Sequence, residues 1–216
     1  MPTSPSAAGR PSRGRRVPRV SGDERERAIL ETAECLLGER SLQEISVDDL
    51  ARGAGISRPT FYFYFPSKEA VLLSLLDRLV EEARSGVALA LLGEDPRGVV
   101  RDGLRAIHRT FREHRPVTLA AAAARVSSPA VAALWSEVME RFVVETTEAI
   151  ESERAQGAAP PGPPARDLAV VLNRMNERVL QATFEQDVPF LDQDSMLDTL
   201  TEIWLRAIYA ERAPSG

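Results

Sequence analysis

The stretch that most constrains this chain is an aromatic run, Phe61–Phe65, which holds five of the twelve aromatic residues. Ser57 precedes the run and is a favourable N-cap, and Pro59 falls in the first helical turn, where a missing N–H costs little. Pro66 follows the run and ends the segment, because proline cannot continue a helix. The pattern therefore predicts one short helix that begins after Ser57 and stops before Pro66.

A second short helix is predicted immediately before the aromatic run. Ser46, followed three residues later by Asp49, is typical of a capping box at a helix start. A helix-turn-helix unit also needs a small residue at the helix crossing, a glycine in the turn and an apolar residue that locks the second helix. Ala51, Gly55 and Phe61 occupy the corresponding offsets. The second helix of such a unit lies in the major groove of DNA.

Helical spacing separates the aromatic residues into two groups. We expect Phe61 and Phe65, and Tyr64 in part, to pack inward, while the opposite face contacts DNA. Arg58 is the best candidate for a guanine contact, and Lys68 is expected to contact the phosphate backbone. The competing interpretation treats the whole run as an aromatic core segment. The predicted DNA-binding residues are Arg13, Arg15, Arg16, Ser46, Arg58, Thr60, Tyr62, Tyr64 and Lys68.

Charge is distributed unevenly along the chain. The formal net charge is −5, yet residues 1–20 carry five arginines and no acidic residue. Such a basic end is typical of a nucleic-acid contact, although a disordered solubilising tail would have the same composition. Residues 21–67 hold nine acidic residues and five arginines. We therefore expect the DNA-facing surface to be a narrow strip, with the arginine tail entering the minor groove beside it.

The remainder of the chain is predicted to be helical. Apolar residues recur at helical spacing from Asp23 onward, and no alternating strand pattern extends beyond a few residues. Gly157–Pro164 is the clearest loop. The single cysteine, Cys35, excludes a disulfide framework and is expected to pack beside the apolar stripe of the first helix. The predicted fold class is all-α, with about nine helices.

Several functional classes are disfavoured by what the sequence lacks. No apolar run reaches the roughly 18 residues of a membrane span, and no apolar signal segment follows the N-terminal arginines. We therefore expect a cytoplasmic protein with no membrane partner. His108 and His114 do not share a helical face at metal spacing, and no P-loop, HExxH or Ser/His/Asp signature is present. We expect neither catalysis nor a cofactor or metal, and a helical interaction protein is the main alternative.

The segments Asp48–Ser57 and Thr60–Glu69 together resemble the signature of TetR-family repressors. A weaker likeness to a mycobacterial member of that family extends through Leu172–Arg178 and the arginine tail. The resemblance implies a dimeric repressor that binds operator DNA and is released by a small lipophilic effector. It also implies a target gene for a flavin-dependent Baeyer–Villiger monooxygenase. The alternative is a DNA-binding regulator without an effector.

The resemblance also implies a division of the chain into three parts. We expect a disordered basic tail at 1–22, a helix-turn-helix domain at 23–67 and a ligand-sensing and dimerisation domain at 68–216. The last two helices are expected to pair with their copies in a second subunit as a four-helix bundle.

Two asparagines, Asn173 and Asn176, lie about one turn apart in an otherwise apolar helix. Burying them unpaired would be costly, so they either bind a ligand or form a structural polar pair, and the residues alone leave both possibilities open. The resemblance favours a lipophilic channel. The implied ligand-binding residues are Gly103, Leu104, Ile107, Phe111, Trp135, Met139, Phe142, Thr146, Asn173, Asn176, Glu177, Leu180 and Trp204.

Two positions depart from the pattern that the resemblance implies. Glu145 and Gln181 stand where the related repressor has aromatic residues. A charged residue that faced the channel would shorten it or change its ligand. We therefore expect a mostly apolar ligand with one or two hydrogen-bonding groups, and not necessarily the ligand of the relative.

Overall fold

The computed structural model describes residues 21–91, 93 and 95–209. Over these residues the chain forms nine α-helices and no strand, which confirms the predicted all-α fold. The helices are α1 (Gly22–Leu37), α2 (Val47–Gly53), α3 (Arg58–Tyr64), α4 (Lys68–Ala90), α5 (Pro96–Glu113), α6 (Arg115–Ala124), α7 (Pro129–Ala155), α8 (Ala165–Glu185) and α9 (Gln193–Tyr209).

Each of the first four helices begins after a serine, at Ser21, Ser46, Ser57 and Ser67. In each case the hydroxyl accepts a hydrogen bond from the backbone N–H three residues on, which satisfies a donor that the helix itself leaves unpaired. The capping box of Ser46 and Asp49 is present as predicted. The starts of these helices are therefore determined by local sequence.

The helix-turn-helix forms as the residue pattern predicts. Gly55 lies in the turn at φ +67°, a left-handed conformation that favours glycine. Gly53 lies where α2 approaches α1, and a Cβ atom there would fall 2.3 Å from the Thr32 methyl carbon. Ala51 and Phe61 are buried at the helix crossing. Gly53 thus allows α2 to pack closely on α1, while Gly55, Ala51 and Phe61 shape the turn and the contact between α2 and α3.

Helix α4 joins the helix-turn-helix to the remaining helices. Val71 and Leu72, near its start, and Leu76, one turn further, are buried in one hydrophobic core. That core continues from α1 through α4 to residues of α5, α6, α7, α8 and α9. A smaller second cluster joins α7, α8 and α9 around Ile150 and Leu172. The helix-turn-helix and the helices that follow it therefore share a core along α4.

The structure bears on two further expectations, one about Cys35 and one about membrane-spanning helices. The expectation that Cys35 packs beside the apolar stripe of α1 was wrong: Cys35 is exposed, because it lies on the face of α1 away from Ile29 and Ala33. Among the described helices, none taken singly has the length and apolar content of a membrane span. The pair α6 and α7, bent by 115° between them, meets those criteria only when the two are taken together.

His114 lies at the break between α5 and α6 and connects three helices. Its Nδ1 lies 2.6 Å from Glu34 Oε1 on α1, and its Nε2 lies 3.5 Å from Glu82 Oε2 on α4. Burial of the ring opposes protonation, but the two carboxylates outweigh it and raise the pKa of His114 above its usual value. The protonated ring therefore connects α1 and α4 to the break between α5 and α6.

Replacing His114 by phenylalanine keeps a ring but removes both nitrogens. Because the folded-state pKa is raised, the stabilisation is fully present below the unfolded pKa of about 6.5 and is lost as the pH rises through the folded-state value. We expect the variant to lose about 1 kcal/mol of unfolding free energy at pH 6 and less at pH 8. Urea unfolding at both pH values measures the difference between wild type and variant.

The control for this experiment is Glu34→Gln, which should reproduce the pH dependence of the loss. At each pH, the unfolding free energy of the variant is subtracted from that of the wild type. This removes the contribution of His108, whose pKa is lowered by burial and whose effect on the pH dependence of stability has the opposite sign. A loss that is equal at pH 6 and pH 8 would contradict a charged bridge at His114.

Candidate nucleic-acid interface and ligand cavity

The outward face of α3 forms a narrow surface, here called the reading strip, made of Arg58, Thr60, Tyr62 and Phe63. Tyr62 is 47% exposed and Phe63 is 83% exposed. On the opposite face Phe61 is fully buried, as the sequence predicts. A helix of seven residues thus divides into a face that packs and a face that is open to solvent.

Arg58 is held in place by two neighbours. Its Nη1 donates to Asp48 Oδ2 on α2 at 2.8 Å, and its Nη2 lies 3.4 Å from the Tyr62 hydroxyl. The guanidinium carbon also lies 5.8 Å from the centre of the Tyr62 ring, within cation–π range. The predicted guanine-reading arginine is therefore accessible at the surface and is already oriented by Asp48 and Tyr62.

The other predicted contacts around α3 have roles within the fold as well. The Thr60 hydroxyl is 2.8 Å from that of Ser57, and Ser46 donates to Asp49 Oδ2 at 2.7 Å, so both lie at helix starts. Tyr64 is half-buried, with its hydroxyl beside Gly22 at the start of α1. These residues lie close to the reading strip, and their contact with DNA stays a prediction.

Lys68 has a structural role that the sequence did not predict. Its ammonium group donates to three backbone carbonyls of the α1–α2 connection, those of Leu42 at 2.7 Å, Gln43 at 3.0 Å and Ile45 at 2.8 Å. An ammonium group has three donors, so these carbonyls occupy all of them, and the contact of Lys68 with a phosphate stays a prediction. Lys68 therefore holds the loop before α2 against the start of α4.

Phe63 is the residue of the reading strip that the sequence did not assign. The spacing argument placed its neighbours on one face or the other but left Phe63 unassigned, and its 83% exposure became apparent only in the fold. The predicted tail contacts Arg13, Arg15 and Arg16 lie outside the described residues.

A second candidate site is a cavity among helices α4 to α9. It consists of a narrow inner compartment of about 90 Å³ and a wider outer compartment of about 370 Å³. All thirteen residues of the predicted ligand set line one compartment or the other. Those that line the inner compartment alone are Phe111, Trp135, Met139, Glu177 and Leu180. Those that line the outer compartment alone are Gly103, Leu104, Thr146 and Trp204. Those shared by both are Ile107, Phe142, Asn173 and Asn176.

The two asparagines lie where the compartments meet, and the protein fixes the orientation of each amide. The Asn173 amide nitrogen donates to the Ala169 carbonyl at 2.9 Å and to the Thr146 hydroxyl at 3.0 Å. The Trp204 indole, which can only donate, gives its hydrogen to Asn176 Oδ1 at 3.1 Å. Asn173 therefore leaves an acceptor, and Asn176 a pair of donors, without partners among the described residues.

Glu177 closes the far end of the inner compartment. Trp135 Nε1 donates to its carboxylate at 2.6 Å and Arg174 donates at 2.8 Å, while Arg125 also pairs with it. Burial opposes ionisation of Glu177, but these donors outweigh it and lower the pKa of the carboxyl group. The carboxylate is therefore occupied by protein donors. The contact with Trp135 holds that ring as part of the wall, and direct contact of Glu177 with a ligand stays a prediction.

The two positions that depart from the expected pattern both line the cavity. Glu145 lies at the outer compartment, where Arg84 of α4 donates to it at 2.7 Å and 3.1 Å. Gln181 lies at the inner compartment and donates to Glu185 at 2.8 Å. The charge of Glu145 is thus balanced within the wall. No local pattern identified Arg84 or Arg125, because their partners are 61 and 52 residues away.

Within the described part of the chain, no three histidine, cysteine or acidic side chains are arranged so that they could hold a metal ion.

Two family models match the chain. The model described as bacterial regulatory proteins, tetR family, matches residues 29–75. The model described as the C-terminal domain of the transcriptional regulator EthR matches residues 100–210. The first match contains the helix-turn-helix, and the second contains both compartments of the cavity except for Leu91, Val99 and the lining residues of α4.

Two curated relatives are similar to the chain over nearly its whole length. The HTH-type transcriptional regulator EthR of Mycobacterium tuberculosis is 51% identical over 98% of this chain and 99% of its own length. The regulator of the same name from Mycolicibacterium smegmatis is 48% identical over 93% of each chain. These matches confirm the resemblance to a mycobacterial repressor that the sequence motifs suggested.

A solved structure shares the fold. A transcriptional regulator from Saccharomonospora viridis, crystallised in complex with choline, superposes with a TM-score of 0.72 over 88% of this chain and all of its own. Its sequence identity is 24%, so the likeness supports the fold alone.

Replacing Lys68 by methionine keeps the aliphatic stem but removes the charge that holds three carbonyls. We expect the unfolding free energy to fall by about 2 kcal/mol, because hydrogen bonds to a charged donor are lost. Thermal and urea unfolding measure the change. Arg78→Met is the matched control, because Arg78 is exposed on the same helix. If stability is unchanged and the salt dependence of DNA binding falls by about one counterion, Lys68 contacts a phosphate of the DNA and does not stabilise the fold.

Proposed function

The chain belongs to the TetR family of bacterial regulatory proteins and is a helix-turn-helix transcriptional regulator, and we propose that it is a homodimeric repressor released from its operator by a lipophilic effector. The observation that carries the proposal is a reading strip and a lined cavity on one continuous core. Helix α4 begins at the strip and forms a wall of both compartments, with Leu76 at the inner one and Arg84 at the outer one. A regulator of this kind acts in the cytoplasm, where its operator is.

Three parts of the chain divide the work in this proposal. The basic tail at 1–22 supplies phosphate contacts, the helix-turn-helix at 23–67 reads base edges, and the part at 68–216 senses the ligand and dimerises. The charge pattern of the head supports a role for the tail. In the helix-turn-helix, Arg52 pairs with Asp49 and Arg58 pairs with Asp48. The five arginines before residue 21 face no acidic residue within their own segment.

The dimer is proposed to form through α8 and α9. Three apolar side chains on these helices are exposed in the single chain, namely Val170, Val171 and Ile203. Pairing of the two helices with their copies across a twofold axis would bury them in a four-helix bundle. The two reading strips would then face half-sites one or more helical turns apart, about 34–36 Å per turn.

The effector is proposed to be a neutral, elongated and mostly apolar molecule with one hydrogen-bonding group near its middle. The inner compartment is lined mainly by apolar and aromatic side chains. The charges of Glu145 and Glu177 are balanced by arginines. The free acceptor of Asn173 and the free donors of Asn176 lie together between the compartments and fit a group that both donates and accepts, such as a secondary amide or a hydroxyl.

Release requires that the effector prefer a conformation in which the reading strips no longer match the operator spacing. Occupation of the cavity would displace α4, whose wall residues move with the start of the same helix. The proposal that the target gene encodes a flavin-dependent Baeyer–Villiger monooxygenase rests on the resemblance alone. Identifying the genes that flank this one tests it.

The proposal is tested first by DNA binding. Fluorescence anisotropy with the duplex directly upstream of the gene, at stated salt, should give affinity about a thousandfold above that for a scrambled duplex, with a steep salt dependence. A helical interaction protein would not distinguish the two duplexes. Equal affinity for both, after other intergenic duplexes of the region have been tried, would exclude the repressor.

A substitution that fills the cavity tests the effector. A Cβ atom at Gly103 meets no atom within 4 Å, so Gly103→Phe should place its ring in the outer compartment without unfolding α5. We expect operator affinity to fall about tenfold or more, as if an effector were bound. Arg109→Phe, on the exposed face of α5, is the matched control. Unchanged operator affinity with normal folding would favour a regulator without an effector.

A further inference from the structure

We propose that Asp48 is a positioning residue for base recognition, whose carboxylate holds Arg58 in the orientation in which its guanidinium reads a guanine. The inference rests on the proposed function, since it presupposes an operator. It assigns a role in DNA specificity to an acidic residue that, on charge alone, would be expected to weaken binding.

The geometry places three restraints on the Arg58 side chain. Asp48 reaches across from α2 to accept from Nη1 at 2.8 Å, over a separation of ten residues. The Tyr62 hydroxyl lies 3.4 Å from Nη2, and the Tyr62 ring lies beneath the guanidinium at 5.8 Å. An unrestrained arginine has a large rotamer entropy to lose on binding, and these contacts remove part of that loss before DNA arrives.

The neighbouring acid, Asp49, and not Asp48, completes the cap of α2. Asp49 accepts from both the backbone and the hydroxyl of Ser46 and completes the capping box. It also pairs with Arg40 and Arg52. Asp48 has no part in that cap, and its recorded side-chain partner is Arg58 on the next helix.

The contact with Asp48 leaves the guanidinium able to read a base. Asp48 occupies Nη1, and the Tyr62 contact at Nη2 is long. The edge formed by Nε and Nη2 therefore remains available for a bidentate contact with guanine O6 and N7. Because the carboxylate of Asp48 also repels phosphates, it lowers affinity for every duplex. That repulsion acts equally on all duplexes, so the preference for guanine comes from the orientation of Arg58.

The ion pair contributes little to folding, because both side chains are more than half exposed, at 55% for Arg58 and 59% for Asp48. Asp48→Asn keeps the shape of the side chain and removes its charge, so the variant should fold normally. Glu31→Gln is the matched control, since it removes one exposed carboxylate from α1 of the same head, where Glu31 pairs with Arg27.

The experiment uses full-length protein and the duplex that the wild type recovers from a randomised duplex pool. The base pair read by Arg58 is identified as the guanine whose replacement weakens the wild type but not Arg58→Ala. Anisotropy then compares the guanine duplex with its adenine counterpart for wild type, Asp48→Asn, Arg58→Ala, the double variant and Glu31→Gln.

We expect the wild type to prefer guanine about tenfold, and Asp48→Asn to lose most of that preference while binding the adenine duplex more tightly. In the Arg58→Ala background, Asp48→Asn should leave the preference unchanged, because the residue that it positions is absent. Glu31→Gln should keep the full preference.

Two results would overturn the inference. If Asp48→Asn raises affinity for both duplexes equally and keeps the tenfold preference, Asp48 is only a repulsive charge. If the pool yields an operator in which no guanine depends on Arg58, Arg58 does not read a base and Asp48 has nothing to position. If the wild type selects no sequence from the pool, the proposed function as a repressor fails and this inference fails with it. That outcome is distinct from the other two, in which the protein still binds a specific operator.

Discussion

The burial of one face of α4 is the constraint on which the rest of the structure depends. Val71 and Leu72 near its start and Leu76 one turn further belong to the same hydrophobic core, although the first two lie beside the helix-turn-helix and the third lines the cavity. Protein interiors are close-packed, so a ligand that displaces this helix at the cavity cannot leave its start in place. The shared core makes the head and the cavity mechanically dependent on each other.

Polar contacts add to that dependence at defined points. Lys68 fastens the loop before α2 to the start of α4, and His114 fastens α1 to the α5–α6 break. The residues on either side of His114 in the helices, Phe111 and Thr118, line the inner compartment. Thr118 donates to the Phe111 carbonyl at 2.9 Å across the break. The joint between the halves therefore lies within one turn of the cavity wall.

The electrostatics of the two sites follow a common principle, which is that charge is neutralised by the protein before any partner arrives. On the head, Asp48 engages Arg58, and in the cavity Arg84 engages Glu145. Pairing removes charge as a source of non-selective attraction. Selectivity then depends on oriented hydrogen-bonding groups, such as the Arg58 edge at the reading strip and the Asn176 amide between the compartments.

The sequence by itself determined the helices and the helix-turn-helix. Those features arise from local signals: serine caps, glycine in the turn, and apolar residues at helical spacing. Ser46, Gly55 and Phe61 each act through neighbours in the chain, so their roles are visible in the sequence. The cavity set was identified through family resemblance together with the helical periodicity of α5, α7 and α8.

The tertiary structure alone decided which polar groups are available and which are already occupied. Lys68 meets carbonyls 23 to 26 residues earlier, Trp135 meets Glu177 across 42 residues, and His114 meets Glu34 across 80. No local pattern encodes such pairs, because they depend on how whole helices pack. Phe63 lies exposed on α3 for the same reason. Periodicity identifies a face of a helix, but only the packed fold determines what covers it.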